Sequence, residues 1–146
     1  ARFSNCLVDK EISFKKVLNV NHEKAFEVVS NFDKYAEFIP GCSGSRLIER
    51  RHPIEIGRLE FQILGKDYFI ESENTLTKNS IIINQISGPF DHFKGIWVVE
   101  KKDDFSCNVN FHASFQLPFL LNAITPQSLI DSFSSKVLDS FISRLL

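Results

Sequence analysis

Four histidines are the residues of this chain best suited to acid-base or metal chemistry. They are far apart in the sequence: His22, His52, His92 and His112. No two of them have the spacing of paired metal ligands. The first falls in the first turn of a predicted helix, the next two in turns, and the last on the polar face of a predicted strand. We therefore expect four surface residues, with no metal site and no catalytic histidine.

The turn after Pro40 carries three nucleophilic side chains next to glycines. They are Cys42, Ser43 and Ser45. The pattern G-x-S-x-G, in which a strand, a sharp turn and a helix expose a serine, is not matched. Cys42 has no histidine near it in the sequence, so it is predicted to be a small structural residue. Because no catalytic set is visible, we expect a protein that is not an enzyme.

Glu71 and Glu73 are the acidic residues that could act together on a ligand. They alternate with Ser72, so they share one face of a predicted strand, and the opposite face, with Tyr68 and Ile70, is more apolar. This pattern favours a solvated face for both carboxylates. The alternative is that they point into a cavity and bind the polar head of a ligand, which would raise the pKa of a glutamate.

Two turns carry large apolar side chains that a solvated loop does not usually have. Tyr35, Phe38 and Ile39 precede a Pro-Gly pair, so they either cover the core or line the mouth of a cavity. The second turn, after Gly88-Pro89, is flanked by Phe90 and Phe93, and the single tryptophan, Trp97, follows on a strand. Core closure and ligand contact explain this second segment equally well.

The overall composition narrows the class of protein. The net charge of -1 gives no electrostatic reason to expect nucleic acid as a general partner, and no specific DNA binding is expected. Arg46, Arg50, Arg51 and Arg58 are interleaved with glutamates, which favours a solvated strand face.

Three widely spaced cysteines fit a reducing compartment. Since neither a membrane span nor a signal-peptide pattern is found, we expect a cytoplasmic protein.

The spacing of apolar residues predicts an antiparallel sheet between two helical parts. A first strand over 14–20 is followed by Asn21, a good helix N-cap, and by a short amphipathic helix. From Arg46 to Leu117 the period is two, and the turns indicate about six strands joined mostly by hairpins. At Gly57 the apolar positions change from even to odd numbers, which predicts a β-bulge.

The end of the chain is predicted to be one long helix. Its apolar residues recur every four positions: Leu129, Phe133, Val137, Phe141 and Leu145. Both Pro118 and the pair Thr125-Pro126 fit a helix start. We favour a helix that begins near Pro118 and is kinked at Pro126.

An antiparallel sheet with one apolar face needs a cover, and the C-terminal helix is the longest element available. We therefore expect an α+β helix-grip fold, in which a curved antiparallel sheet of about six to seven strands wraps around that helix. The length predicts one domain over residues 1–146. A cavity between sheet and helix would suit a small ligand, since ligand cavities measure roughly 300–1,000 Å³ and have mostly apolar walls.

Several short motifs together carry a family resemblance. They are Tyr35, Phe38, Pro40-Gly41-Cys42, Gly44-Ser45-Arg46, Asn74, Leu76, Gly88-Pro89-Phe90, Gly95 and Trp97. In this order and spacing the chain resembles the coenzyme Q-binding branch of the START-like superfamily (polyketide cyclase/dehydrase and lipid transport), which includes the bacterial ribosome association toxin. The chain departs from the family at Ala36, where a proline often follows the tyrosine.

The resemblance implies a START-like lipid-binding domain that holds a polyprenyl quinone such as ubiquinone, or another prenyl lipid, in support of respiration or quinone synthesis. No catalytic cofactor is implied. Peripheral contact with the inner membrane would follow, on the matrix side in a eukaryote. The alternative is a toxin-like factor that binds the large ribosomal subunit through the arginine-bearing strand and blocks subunit association.

For the lipid hypothesis, the expected lining is aromatic and aliphatic, with Tyr35 as a polar contact. It consists of Tyr35, Phe38, Ile39, Pro40, Phe90, Trp97, Phe111, Phe115, Phe133 and Val137.

Overall fold

The computed structural model describes residues 9–63, 65–118 and 125–146. Within these ranges the elements are β1 (Lys10–Leu18), α1 (His22–Ser30), a 3₁₀ helix (Phe32–Glu37), β2 (Cys42–Arg51), β3 (Ile54–Ile63), β4 (Lys66–Leu76), β5 (Ser80–Ser87), β6 (His92–Asp103), β7 (Ser106–Gln116) and α2 (Gln127–Leu145).

The seven strands form one antiparallel sheet in the order β1-β7-β6-β5-β4-β3-β2. Strands β2 to β7 follow one another as neighbours, whereas β1 pairs with β7, where Phe14 lies opposite Phe111. The helices pack on one face of the sheet, which we call the inner face, and the core lies between them. The expected α+β helix-grip fold, a curved sheet held against a C-terminal helix, is confirmed.

Helix α1 starts where the sequence predicts. The side chain of Asn21 accepts a hydrogen bond from the backbone N–H of Glu23 at 2.8 Å, which caps the first turn. Ala25 and Val29, four residues apart, are both buried against the sheet. This helix therefore closes one side of the inner face.

Helix α2 differs from its predicted form in two respects. It begins at Gln127, after Pro126, while the stretch 119–124, where an earlier start was favoured, lies outside the described residues. The predicted four-residue repeat is correct only for the C-terminal half, because Leu129 and Phe133 are 61% and 43% exposed. No helix within the described ranges is long and apolar enough to cross a membrane.

The bulge predicted at Gly57 lies on the neighbouring strand. Strands β3 and β4 pair through Gly57 without a shift of register, but β2 has a bulge opposite it, since Leu47 pairs with Gly57 and Glu49 with Ile56; a second irregularity of β2 lies between Cys42 and Gly44. Gly57 serves a different purpose, because the ring of Phe32 lies where its side chain would be: a Cβ there would come within 2.1 Å of the ring. The glycine therefore lets the 3₁₀ helix pack directly on the sheet.

Candidate ligand site

A small, mainly apolar cavity of about 50 Å³ lies between the inner face of the sheet and the helical segment that follows α1. Its walls are Val29, Ser30, Phe32, Tyr35, Gly57, Leu59, Ser72, Asn74, Leu76, Ile81, Ile83 and Trp97. Ligand cavities usually measure roughly 300–1,000 Å³. The site is therefore nearly closed in this conformation.

The segment from residue 32 to residue 41, which we call the lip, covers this cavity. The hydroxyl of Ser45 ties it to β2, since it donates to the carbonyl of Asp33 at 2.9 Å and accepts from the N–H of Ala36 at 3.0 Å. The lip ends at Gly41, whose φ of 79° is the left-handed conformation that glycine adopts most readily. Two hydrogen bonds to Ser45 thus hold a segment whose apolar side chains face the core.

Aromatic rings join the lip to the sheet through helix α2. The ring of Phe141 lies 5.3 Å from Tyr35 and 5.2 Å from Phe38, both edge to face. It also lies 4.9 Å from Trp97 on β6, which in turn contacts Phe111 at 4.6 Å. Edge-to-face packing at these distances is favourable beyond the burial of area. The lip, α2 and the sheet therefore share one aromatic cluster, which we call the aromatic wall, and two of its members, Tyr35 and Trp97, line the cavity.

The hydroxyl of Tyr35 makes a hydrogen bond within the protein. It donates a hydrogen bond to the backbone carbonyl of Val29 in α1. Burial raises the pKa of Tyr35, so the hydroxyl remains a neutral donor. The expected polar contact between Tyr35 and a ligand would require this internal bond to break.

Polar side chains meet at one end of the cavity on strands β3 and β4. Asn74 is 6% exposed, and the hydroxyl of Ser72 donates to its side-chain oxygen at 2.9 Å. Glu55, 9% exposed, stands directly opposite Asn74 across the strand pair and accepts from Arg50 Nε at 2.7 Å. An otherwise apolar cavity thus has one polar end.

The comparison with known proteins assigns the family. The model of the polyketide cyclase / dehydrase and lipid transport family matches residues 18–142. The chain belongs to this family. Ribosome association toxin RatA of Vibrio cholerae is 24% identical over 136 residues, which are 92% of this chain and 94% of that protein.

Solved structures of the family's fold superpose on nearly the whole chain. Zhui aromatase/cyclase from Streptomyces sp. R1128 gives a TM-score of 0.78 at 14% identity, covering 94% of this chain and 93% of that one. A START superfamily protein from Mycobacterium smegmatis gives 0.74 at 15% identity, covering 93% of each chain. The fold is thus shared by proteins named as enzymes and by proteins named for lipid transfer.

The structure places the predicted lining residues of this family member in four groups. Tyr35 and Trp97 line the cavity. Phe38, Ile39, Phe111 and Val137 are half-buried and pack against the core beside it. Phe90 and Phe115 form a separate aromatic cluster with Phe93, with ring distances between 5.2 and 5.8 Å. Pro40 and Phe133 are exposed.

The acid-base candidates of the sequence lie outside the cavity. Glu71 is on the outer face of the sheet, 3.0 Å from Arg58, as the solvated-face interpretation predicts. His92 and His112 are exposed beside carboxylates, whereas His22 is half-buried and its Nδ1 is buried without a partner in the described part of the chain.

Cys42 has a structural role. Its thiol is buried and donates to the carbonyl of Gly44 at 3.3 Å. Burial is the main reason that the pKa of Cys42 is raised, which disfavours the nucleophilic thiolate.

Phe141, Ser72 and Asn74 are among the residues at the site that were not predicted as contacts. A signal for the two polar ones exists in the sequence, because residues 72 and 74 have the same parity as Ile70 and Leu76 and so belong to the apolar face of β4. Polar side chains on an otherwise apolar strand face indicate either a buried hydrogen bond or a ligand contact.

Proposed function

We propose that this protein binds a polyprenyl quinone, or another prenyl lipid, between the sheet and the helices, without catalysing a reaction. The observation that carries the proposal is the nearly closed, mainly apolar cavity with one polar end beneath the lip. The family to which the chain belongs includes lipid transport in its description. Such a protein would serve respiratory electron transport or quinone synthesis, and it would take up its ligand through peripheral contact with a membrane.

Ligand entry requires the lip to move, because about 50 Å³ is too small for a quinone ring with its tail. Opening would separate Tyr35 and Phe38 from Phe141 and extend the cavity along the aromatic wall. The tail would then contact the ten residues expected to form the lining, including the cluster of Phe90 and Phe115. Burying its apolar surface would contribute about 25 cal/mol per Å².

The non-enzymatic part of the proposal is supported by the state of the reactive groups. Burial holds the pKa of the Cys42 thiol above its usual range, and the carboxylate of Glu55 is engaged by Arg50.

Mass spectrometry of lipid extracted from the purified protein tests this proposal. Wild-type protein should carry a prenyl lipid, or should bind added ubiquinone in titration. Ile83→Trp, which fills the cavity, should reduce the bound lipid, while Ile82→Trp on the opposite strand face should not. A wild-type protein that carries no lipid and binds no ubiquinone would contradict the proposal.

The second candidate is a ribosome-associated factor that blocks association of the subunits. The similarity to RatA over 92% of the chain favours it. The ion pairs of the structure argue against the arginine-bearing strand as a contact surface. Arg50, Arg51 and Arg58 are paired with glutamates, so Arg46 is the one arginine of the four that has no ion pair among the described residues.

Sedimentation of ribosomal subunits at physiological salt tests the second candidate. If it is right, added protein reduces subunit association, and Arg46→Glu abolishes the effect. Arg51→Glu is the matched control, since Arg51 is also exposed on β2 but pairs with Glu49. Unchanged subunit association in the presence of wild-type protein would exclude this candidate.

A further inference from the structure

One polar group of the cavity wall is a hydrogen-bond donor without a partner among the described residues. The hydroxyl of Ser72 donates to Asn74 Oδ1 at 2.9 Å and thereby sets the orientation of the amide. The amide nitrogen, Asn74 Nδ2, has no hydrogen-bond partner within the described residues. Asn74 lines the cavity and is 6% exposed, so this N–H₂ donor belongs to the inside of the site.

The other polar side chains near this end of the cavity are engaged. The hydroxyl of Tyr35 is bonded to the carbonyl of Val29, and Glu55 is held by Arg50. Next to Asn74 on the same strand face lies Leu76, and across the strand pair with β5 lies Ile83. Together with the indole N–H of Trp97, which also has no partner among the described residues, the amide is therefore an available donor in a cavity with mostly apolar walls, where a hydrogen bond is strong and an unsatisfied donor is costly.

We propose that Asn74 selects a carbonyl oxygen on the ligand and so sets which prenyl lipids the site accepts. This inference rests on the proposed lipid-binding function and names the chemistry of the head group. A quinone carbonyl accepts a hydrogen bond from an amide N–H, whereas an isoprenoid hydrocarbon of similar size offers no acceptor. Sites that hydrogen-bond a polar group reject the analogue that lacks it, because their own buried group is then left unpaired.

The position of Asn74 suits this role. Strand β4 is paired on both sides, with Glu55 of β3 and Ile83 of β5 opposite residue 74. The donor is thus on the sheet and would keep its place when the lip opens. Movement of Phe32 and Tyr35 would enlarge the space directly in front of it, since both line the same cavity.

Competition between two lipids in one sample tests the inference. Protein is incubated with phosphatidylcholine vesicles that contain equal amounts of a ubiquinone and of squalene, re-isolated by gel filtration, and extracted for quantification. Wild-type protein should take up the ubiquinone preferentially. Asn74→Leu should lower the ratio of ubiquinone to squalene by about 2- to 10-fold, the effect of one neutral hydrogen bond, because ubiquinone loses its donor and squalene no longer leaves a buried amide unpaired.

Two further variants keep the result decisive. Asn84→Leu changes an exposed asparagine of β5 and should keep the wild-type ratio. If Asn74→Leu does not fold, Ser72→Ala replaces it, because loss of the Oδ1 partner frees the amide to rotate and should lower the ratio as well. An unchanged ratio in the folded variant overturns the role of Asn74 while the lipid-binding function stands. Uptake of neither lipid by wild-type protein overturns both.

Discussion

The guanidinium of Arg144 lies over the ring of Phe38, with 5.1 Å between its central carbon and the ring centroid. The same guanidinium pairs with Glu37, and Phe141, one turn earlier in α2, packs against Phe38. The last turns of α2 therefore hold the lip in its closed position, while Phe32 anchors the other end of the lip at Gly57.

Arg144→Ala should loosen the lip without unfolding the protein. The substitution removes one cation–π contact and one partly exposed ion pair, together worth about 0.5–1 kcal/mol. Backbone amide hydrogen exchange of Phe38 and Ile39 should become faster, while exchange in β6 should not change. Arg51→Ala, which removes an exposed ion pair on β2, is the control. Equal exchange of the lip in Arg144→Ala and wild-type protein would show that this contact does not restrain it.

Gly57→Ala should destabilise the protein, because the new methyl group would meet the ring of Phe32 at 2.1 Å. Overpacking of this kind typically costs about 1–3 kcal/mol in the free energy of unfolding, which urea denaturation measures. Gly95→Ala is a matched control on the same sheet face, since its methyl group would meet only ordinary contacts at 3.5 Å. The cost should fall when Phe32→Leu is added, and the same loss in both glycine variants would contradict the explanation.

Stability should fall at alkaline pH, and Tyr35 should contribute to the fall. Burial raises the pKa of Tyr35 in the folded state, so above about pH 10 the unfolded chain loses a proton that the folded protein keeps. Ionisation of that tyrosine then favours unfolding as the pH rises. The buried thiols of Cys42 and Cys107, whose pKa values burial also raises, act in the same direction.

Urea denaturation between about pH 8 and pH 11 measures this dependence. Tyr35→Phe should be less stable than wild type at neutral pH, because the carbonyl of Val29 loses its donor, but its stability should fall less steeply above about pH 10. Tyr68→Phe, which changes the other tyrosine of the chain, should keep the wild-type slope. A Tyr35→Phe slope equal to that of wild type would exclude Tyr35 as the cause.

The secondary structure was largely predictable because each strand has its own alternation. The strict period of two from Phe105 to Leu117 identifies β7 and its buried face, and the Asn21 cap identifies the start of α1. The bulge lies in β2 and not in β3, because β3 keeps one parity throughout: Glu55 is buried opposite Asn74 on the same face as Gly57, a polar pairing that the spacing of apolar residues does not contain.

The candidate site was predictable only in part. Tyr35 and Trp97 were identified because large aromatic residues near turns need a cover, and both line the cavity. The contact of Phe141 with the lip depends on where α2 crosses the sheet, which follows from packing and not from its four-residue repeat. The size of the cavity likewise depends on how closely the 3₁₀ helix approaches β3, so it could not be derived from composition or spacing.

The fluorescence of Trp97 tests the central claim most directly, because this residue is the single tryptophan of the chain, is 4% exposed and lines the cavity. A short-chain ubiquinone bound beside it should quench its emission. We predict saturable quenching with one ubiquinone per protein molecule. An excess of a prenyl lipid that does not itself quench tryptophan should compete for the cavity and restore the emission. Quenching that rises linearly with ubiquinone concentration, as it does for a free tryptophan derivative, would contradict binding in the cavity.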